Sequence, residues 1–348
     1  SQFAGEAGQA GSMGGGGADG KNMGWLKNMM CNFLGCRNNV DIESGSDGHV
    51  YTHAYYFKDW DTVAPSGAMR GLGMVKPVAK DDDEDDLKNE NSNDKDVMIR
   101  IPLSMQITRA TALITLTNVI PQQTLQKYPL SDLDDAIILT LFLAHERARG
   151  PASKWSAYID SLPPPSCGYL RSRESISVAV TALNDAGVDV YGWFNEINRA
   201  RDAADRIVLN LAKNYGHYIP PVPKVRVSFL FQWAFCHISS RAIVGDEKYG
   251  RLRLVPILDM VNHDSAAGSF HELKGGDNNS TGAWAESIDG SFVLKSTYHG
   301  NKRILTQGQE LLANYNINAY SPLDAFIHLG CVPYEKLQPW MHFEPALS

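Results

Sequence analysis

Only five cysteines occur in 348 residues, at positions 31, 36, 167, 236 and 331, and no two share C-x-x-C spacing. That scarcity argues against a cysteine-based zinc centre and against a disulfide framework. A reducing, intracellular compartment is therefore expected, with cytoplasm, nucleus and plastid left equal. No stretch reaches the ~18 uncharged apolar residues of a membrane span, so no membrane partner is expected. Basic excess is missing as well. The formal net charge is −7, and residues 81–96 (DDDEDDLKNENSNDKD) carry all of it, with nine acids and two lysines. Outside that run thirty bases face thirty acids. A neutral body of this kind gives no bulk attraction for nucleic acid. The acidic run reads as a solvated, self-repelling loop, with attraction of a basic protein tail as the functional alternative.

What is present is an ordinary globular composition, 43% apolar, long enough for a sizeable core. The chain opens on Ser1 rather than Met, which predicts a fragment or a processed product. Residues 1–50 read as a poorly ordered tail rich in Gly, Ala and Ser, with a possible short helix at 24–36. From 60 the pattern becomes structured. Val97, Ile99 and Ile101 alternate as in a half-buried strand, so the acidic run is expected to interrupt two paired strands. A helix is predicted from a capping-box-like start at Ser131–Asp134, with Leu133, Ile137, Leu141 and Ala144 on one face and Gly150-Pro151 as its end. A second helix over 195–213 places Ile197, Ala200, Ala204, Ile207, Val208 and Leu211 together. A third over 225–243 is apolar almost all round (Phe229, Leu230, Phe231, Trp233, Ala234, Phe235) and is expected to be buried. Strands follow at 252–258, 291–297 and 303–315, separated by a Gly-, Asn- and Ser-rich loop at 264–283.

Three short segments carry chemistry. Arg70-Gly71-Leu72-Gly73 lets the backbone turn and approach a ligand, but lacks the third glycine and the helix of a dinucleotide site. Asp259-Met260-Val261-Asn262-His263 sets three polar residues at the end of an apolar strand, where each needs a hydrogen-bond partner. No second His or Cys follows at ligand spacing, so no metal is expected. Tyr315 ends the apolar stretch Leu311-Leu312-Ala313-Asn314. Taken singly, these read as a turn before a strand, a capped turn and a core tyrosine.

In this order the segments resemble the SET-domain methyltransferases, in the branch of plant Rubisco large-subunit methyltransferase. Two flanking stretches resemble that branch too: SDLDDAIILTLFLAHERARGPASKWSAYIDSLP (131–163) and FLFQWAFCHISSRAIV (229–244). The resemblance covers roughly 65–335. It implies an α+β fold, a knot-like β structure of small antiparallel sheets with a long helical insert. The division it implies is a tail at 1–50, an N-terminal SET half at 60–165 with the acidic loop at 80–96, and a helical insert at 166–250. A C-terminal half at 251–335 and the start of a truncated region at 336–348 complete it. It further implies S-adenosyl-L-methionine as cofactor and a lysine of a protein substrate as acceptor. Arg70, Gly71, Leu72, Asn262 and His263 would hold the cofactor, Ser240, Arg241 and Asp259 would line the substrate cleft, and Tyr315 would be the catalytic residue, touching the cofactor as well.

Two departures accompany the resemblance. Pro322, in Ser321-Pro322-Leu323-Asp324, stands where the branch carries Asn and removes a backbone donor from the loop after Tyr315. Arg70 stands where many relatives are acidic. Three other readings are carried forward: a protein-histidine methyltransferase, disfavoured by apolar Ile243 and Leu258; a catalytically silent SET-like binding module; and a hydrolase built on Cys236-His237 or His145-Glu146. Adjacent residues point different ways on a helix, which disfavours the last.

Overall fold

The computed structural model describes residues 54–58, 70–74, 97–263, 284–287, 289–295, 297–298, 301–302, 310–313, 315 and 320–332. The expected tail at 1–50, the acidic run, the loop at 264–283 and the region 336–348 lie outside them. Strands β1 (Ala54–Lys58), β2 (Arg70–Met74) and β3 (Val97–Ile101) come first. Helices α1 (Arg109–Val119), α2 (Gln122–Lys127), α3 (Asp135–Arg149), α4 (Ser156–Ser161), α5 (Arg173–Asp185), α6 (Trp193–Tyr215) and α7 (Val227–Arg241) fill the middle. Short strands β4 (Ile243–Val244), β5 (Leu252–Arg253), β6 (Asn262–His263), β7 (Trp284–Glu286), β8 (Phe292–Lys295), β9 (Thr297–Tyr298), β10 (Asn301–Lys302) and β11 (Glu310–Ala313) precede helix α8 (Pro322–Leu329).

The strands form several small sheets. One has the order β1-β2-β11-β6, another β3-β8-β7. The strands on either side of the acidic run, β2 and β3, therefore do not pair with each other, contrary to expectation. Alternation in a single strand fixes which face is buried, but not which partner it takes. Ile99 and Ile101 are fully buried, as their alternation predicts. Among the described residues pairing is antiparallel except between β11 and β6, which run parallel with Leu312 opposite Asn262 and Ala313 opposite His263.

Helix α3 starts one turn later than its sequence suggests. Asp134, not Ser131, is the cap, its carboxylate accepting from the Ile137 N–H at 2.8 Å. Gly150, at φ 54°, ends the helix in a backbone conformation that costs other residues more. Helix α6 buries Ile197, Ala204, Val208 and Leu211 as the 3.6-residue period requires. Helix α7 departs from expectation at two residues: Phe229, in its first turn, is 58% exposed and Phe235 is half-buried, while Leu230, Phe231, Trp233 and Ala234 are buried, the helix packing against α3 and α6. The run from 252 to 258 is a strand only at Leu252–Arg253; Leu258–Met260 forms a 3-10 turn.

Two cores result. The larger joins Ile99, Ile101, Phe142, Trp155, Tyr158, Phe231 and Phe292, and the smaller joins Cys167, Tyr169, Ile176, Trp193, Ile197 and Phe326. In the smaller core the structure corrects the cysteine reading. Cys167 and Cys236, 69 residues apart, form a disulfide with Cα atoms 5.9 Å apart. Neither spacing nor an odd count announces a pair that only the packing of α7 brings together. The pairing also removes the ground for assigning a reducing compartment. Among the described residues no helix is long and apolar enough to cross a membrane.

The bridge makes a direct prediction. In the chain-entropy picture a loop of this length is worth about 4 kcal/mol, so Cys236→Ser should lower the denaturant midpoint clearly and steepen the slope, because the uncrosslinked chain exposes more surface on unfolding. Alkylation after unfolding without reductant checks the bond itself. Modification at both Cys167 and Cys236 would contradict it.

Arg253, in β5, is fully buried and its guanidinium is surrounded. Nη2 lies 2.6 Å from Glu286 Oε1 and donates to the Asp246 carbonyl at 2.8 Å, Nε donates to the Gly250 carbonyl at 2.7 Å, and Nη1 donates to Gln106 Oε1 at 3.2 Å. Glu286 Oε2 accepts the Asp246 N–H at 2.6 Å. The cluster ties β5 to β7 and closes the end of the β3-β8-β7 sheet.

Candidate functional site

The three motifs converge on one strand. β11 pairs on one side with β2, Leu311 opposite Leu72 and Glu310 opposite Gly73, and on the other with Asn262 and His263 of β6. The strand of Arg70, Gly71 and Leu72 and the Asn-His strand thus flank the segment that delivers Tyr315. Two glycines in β2 leave a strip without side chains beside β11, where a ligand can come close to backbone. Asn262 and His263 are partly exposed.

Tyr315 is docked by its own backbone and by its hydroxyl. Its N–H donates to His263 Nδ1 at 3.1 Å, the two rings lie 5.1 Å apart, and its hydroxyl donates to the Val261 carbonyl. The accepting Nδ1 fixes the proton of a neutral His263 on Nε2. The hydroxyl therefore sits against the turn that carries the Asp-Asn-His motif.

That turn is strained and braced. Ile257, fully buried, has φ 75° and ψ −52°. For a β-branched residue this conformation costs on the order of 1–3 kcal/mol and persists only where its surroundings impose it. Two side chains hold the next residues. Tyr158, from α4, donates its hydroxyl to Asp259 Oδ2 at 2.7 Å, and Arg241, from the last turn of α7, donates Nη1 to the Asp259 carbonyl at 2.8 Å. Arg241 Nη1 also lies 3.7 Å from Asp259 Oδ2. Burial pushes the Asp259 carboxyl up from its ordinary range although Arg241 and Tyr158 oppose the shift. Burial, with the Asp259 charge adding to it, pushes the Tyr158 hydroxyl well above its ordinary value, so it remains a donor. Asp259 Oδ1 is buried with no hydrogen-bond partner among the described residues.

Of the residues expected at the site, Asn262, His263, Tyr315, Arg241 and Asp259 come together with the Gly71-Leu72 strand. Ser240 is partly buried and spends its hydroxyl on its own helix, donating to the Cys236 carbonyl at 2.9 Å. Tyr158 and the Val261 carbonyl were not foreseen. The only sequence signal for the first was that a buried Asp259 must find a donor, and nothing in the sequence selects Tyr158 from fourteen tyrosines.

The hydrolase pairings have other employments. Cys236 is in the disulfide. His237 points away from it and packs edge-on against Trp233 at 4.6 Å; burial, with Arg241 and Arg147 nearby, pushes it down to about 3, so it stays neutral. Glu146 is buried among His145 Nδ1 at 3.1 Å, Arg149 Nη1 at 3.1 Å and Ser153 Oγ at 2.5 Å. It is a buried cluster whose hydrogen bonds are satisfied internally. Among the described residues no group of three or more His, Cys, Asp or Glu could hold a metal ion.

Pro322 is also accounted for. It is the first residue of α8, where no helix partner exists for a backbone N–H, so its missing donor costs nothing. Ser321 and Asp324 cap the helix reciprocally, the Asp324 N–H reaching Ser321 Oγ at 3.1 Å and the Ser321 N–H reaching Asp324 Oδ2 at 3.0 Å.

No protein-family model matches the chain, and no curated protein matches it in sequence. Solved structures do. It is similar to the SET domain of LSMT bound to lysine and AdoHcy, at TM-score 0.57 and 18% identity over 89% of this chain and 55% of that one. Rubisco LSMT bound to AdoMet gives 0.55 and 18% over 89% and 56%, and Rubisco LSMT bound to sinefungin and monomethyllysine gives 0.53 and 17% over 89% and 55%. The chain spans about half the length of these proteins. Its architecture, mixed helices and small sheets, is that of their SET domain.

Proposed function

We propose that this SET-fold chain is an S-adenosylmethionine-dependent protein methyltransferase that acts on a lysine side chain. The observation that carries the reading is the docking of Tyr315 between His263 and the Val261 carbonyl, beside the glycine strand β2. The neighbouring structures holding AdoMet, AdoHcy, sinefungin, lysine and monomethyllysine support the same cofactor and acceptor class. The parallel pairing of β6 with β11 supports the threaded, knot-like arrangement of the two segments. The division into SET halves around a helical insert is proposed on the same ground.

The residues present fit such a cofactor. Asn262 and His263 are polar and partly exposed at a strand end, and the Gly71-Leu72 strand offers backbone groups one strand away. When bound, the cofactor supplies an electrophilic methyl group on a sulfonium. The chain's part is to bring a neutral amine in line with it. Apolar Leu258 and Ile243 belong to the buried core and would keep the wall behind the acceptor dry, which disfavours the charged form of an entering ammonium and lowers its pKa. They also offer no polar partner for an imidazole, which favours lysine over histidine. The Tyr315 hydroxyl, anchored on the Val261 carbonyl, would orient the amine. Arg241, whose side chain is partly exposed, would receive polar parts of the substrate beside the acceptor nitrogen, while Asp259, whose side chain is fully buried, would hold Arg241 in place.

The test is titration calorimetry with S-adenosylmethionine. Wild type should bind at micromolar level and Asn262→Ala should bind at least about ten-fold more weakly, the loss of a buried hydrogen-bonded contact. Transfer of labelled methyl to lysine-containing peptides should follow. Absence of binding by wild type would favour the silent binding module, and a mark located on histidine by mass spectrometry would reassign the acceptor.

A further inference from the structure

Tyr158 lies 101 residues before Asp259, in a different helix, and belongs to none of the three motifs, yet it meets the middle of them. Its ring is fully buried in the larger core, where packing alone would ask only for phenylalanine. Among the described residues the hydroxyl has one partner, Asp259 Oδ2 at 2.7 Å.

From that bond the connection to Tyr315 is short. Asp259 is fixed twice, by Tyr158 through its carboxylate and by Arg241 through its carbonyl at 2.8 Å. The turn it sits in is closed by bonds from the Met260 N–H to the Ile257 carbonyl and from the Val261 N–H to the Leu258 carbonyl, each 3.1 Å. Two residues after Asp259, the Val261 carbonyl receives the Tyr315 hydroxyl. Two residues before it, Ile257 holds a φ of 75° that a β-branched residue leaves whenever it is released. Relaxation of Ile257 would rotate the turn and carry the Val261 carbonyl with it, since successive Cα atoms are only 3.8 Å apart and the peptide planes are rigid.

We propose that Tyr158 is a positioning residue for Tyr315, acting through the braced turn 257–261; the part of this that concerns methyl transfer rests on the methyltransferase reading. The hydroxyl of Tyr158 keeps Ile257 in its strained conformation and thereby keeps the Val261 carbonyl under the Tyr315 hydroxyl. A remote anchor of this type matters because displacement of a reacting group by about 1 Å can cost about 100-fold in rate.

The experiment has two arms. In the first, 3-fluorotyrosine is placed at position 315 and its fluorine resonance is recorded in wild type, Tyr158→Phe and Tyr215→Phe. The last is the control: it removes a hydroxyl that donates to the Tyr128 carbonyl at 3.0 Å, away from the turn. Tyr158→Phe should shift or broaden the resonance, and Tyr215→Phe should leave it in place. An unmoved resonance in a folded Tyr158→Phe protein overturns the proposal. If that variant does not fold, Arg241→Lys, which loosens the other anchor, must move the same resonance, and an unmoved line has the same consequence. In the second arm, tritium transfer from S-adenosylmethionine to a pool of lysine peptides is measured. Tyr158→Phe should lower kcat about 10- to 100-fold with KM for the cofactor within about two-fold. It should add little in a Tyr315→Phe background, because both act through one hydroxyl. Fully additive losses overturn the coupling. A wild type that transfers nothing strikes the methyltransferase reading alone and leaves the fluorine arm to decide the brace.

Discussion

Tyr315→Phe should lower methyl transfer about 100- to 1,000-fold while S-adenosylmethionine binds within about two-fold of wild type. The substitution removes one oxygen and keeps the ring that lies 5.1 Å from His263. The main-chain bond from residue 315 to His263 Nδ1 does not depend on the side chain, so the parallel β6–β11 pairing should survive. What disappears is the hydroxyl anchored on the Val261 carbonyl, the group placed to orient the acceptor nitrogen. A group that acts only on the reacting atoms changes kcat and leaves binding of the other substrate alone. Single-turnover transfer beside calorimetry separates the two. Equal losses in both would mean that Tyr315 is a packing residue, and an unchanged rate would remove it from the mechanism.

The second large effect concerns stability. Glu286→Gln should destabilise the fold by about 3–5 kcal/mol, because it leaves the Arg253 charge buried without its counter-ion. At about 2–4 °C per kcal/mol for a protein of this size, the midpoint of thermal unfolding should fall by roughly 10 °C. Arg253 has 0% exposure and cannot turn to water. Gly245 is packed so closely that a Cβ there would lie 2.7 Å from Arg253 Nη2, so the site has no slack for relaxation. Replacing both partners by methionine should recover only part of the loss. The guanidinium also satisfies the carbonyls of Asp246 and Gly250 and the side chain of Gln106, and those acceptors would be stranded. Differential scanning calorimetry of the single and double variants is the check. A double variant as stable as wild type would show that the ion pair alone mattered.

Periodicity carried much of the helical middle. Helices α3 and α6 were legible because their apolar residues recur at the helical period and their ends bear Gly or Asp, although the α3 cap moved from Ser131 to Asp134; α7, which lacks such caps, was legible from its long apolar run. The motif residues were legible too. Asn262, His263 and Tyr315 stand out as polar groups at strand ends, and their order in the chain suggested one site.

Long-range pairing was not legible. The antiparallel partners of β2 and β3 lie in different sheets, and a strand of five residues does not encode which edge it meets. The Cys167–Cys236 bridge ran against a sound compositional argument, because a disulfide depends on two Cβ atoms meeting in space and not on spacing. Pro322, which looked disruptive as text, is harmless because tertiary structure makes it the first residue of a helix.

By itself, then, the sequence determined the three helices α3, α6 and α7 and the chemistry available: local period and composition set those helices, and the residue types of three segments set what a site could do. Tertiary structure alone decided that β11 runs between the glycine strand and the Asn-His strand, that Asp259 is held by Tyr158 and Arg241, and that the Tyr315 hydroxyl meets the Val261 carbonyl. The division has a physical cause. Local structure is fixed by interactions a few residues apart, whereas a site is fixed by which buried polar groups must satisfy one another after the core has closed.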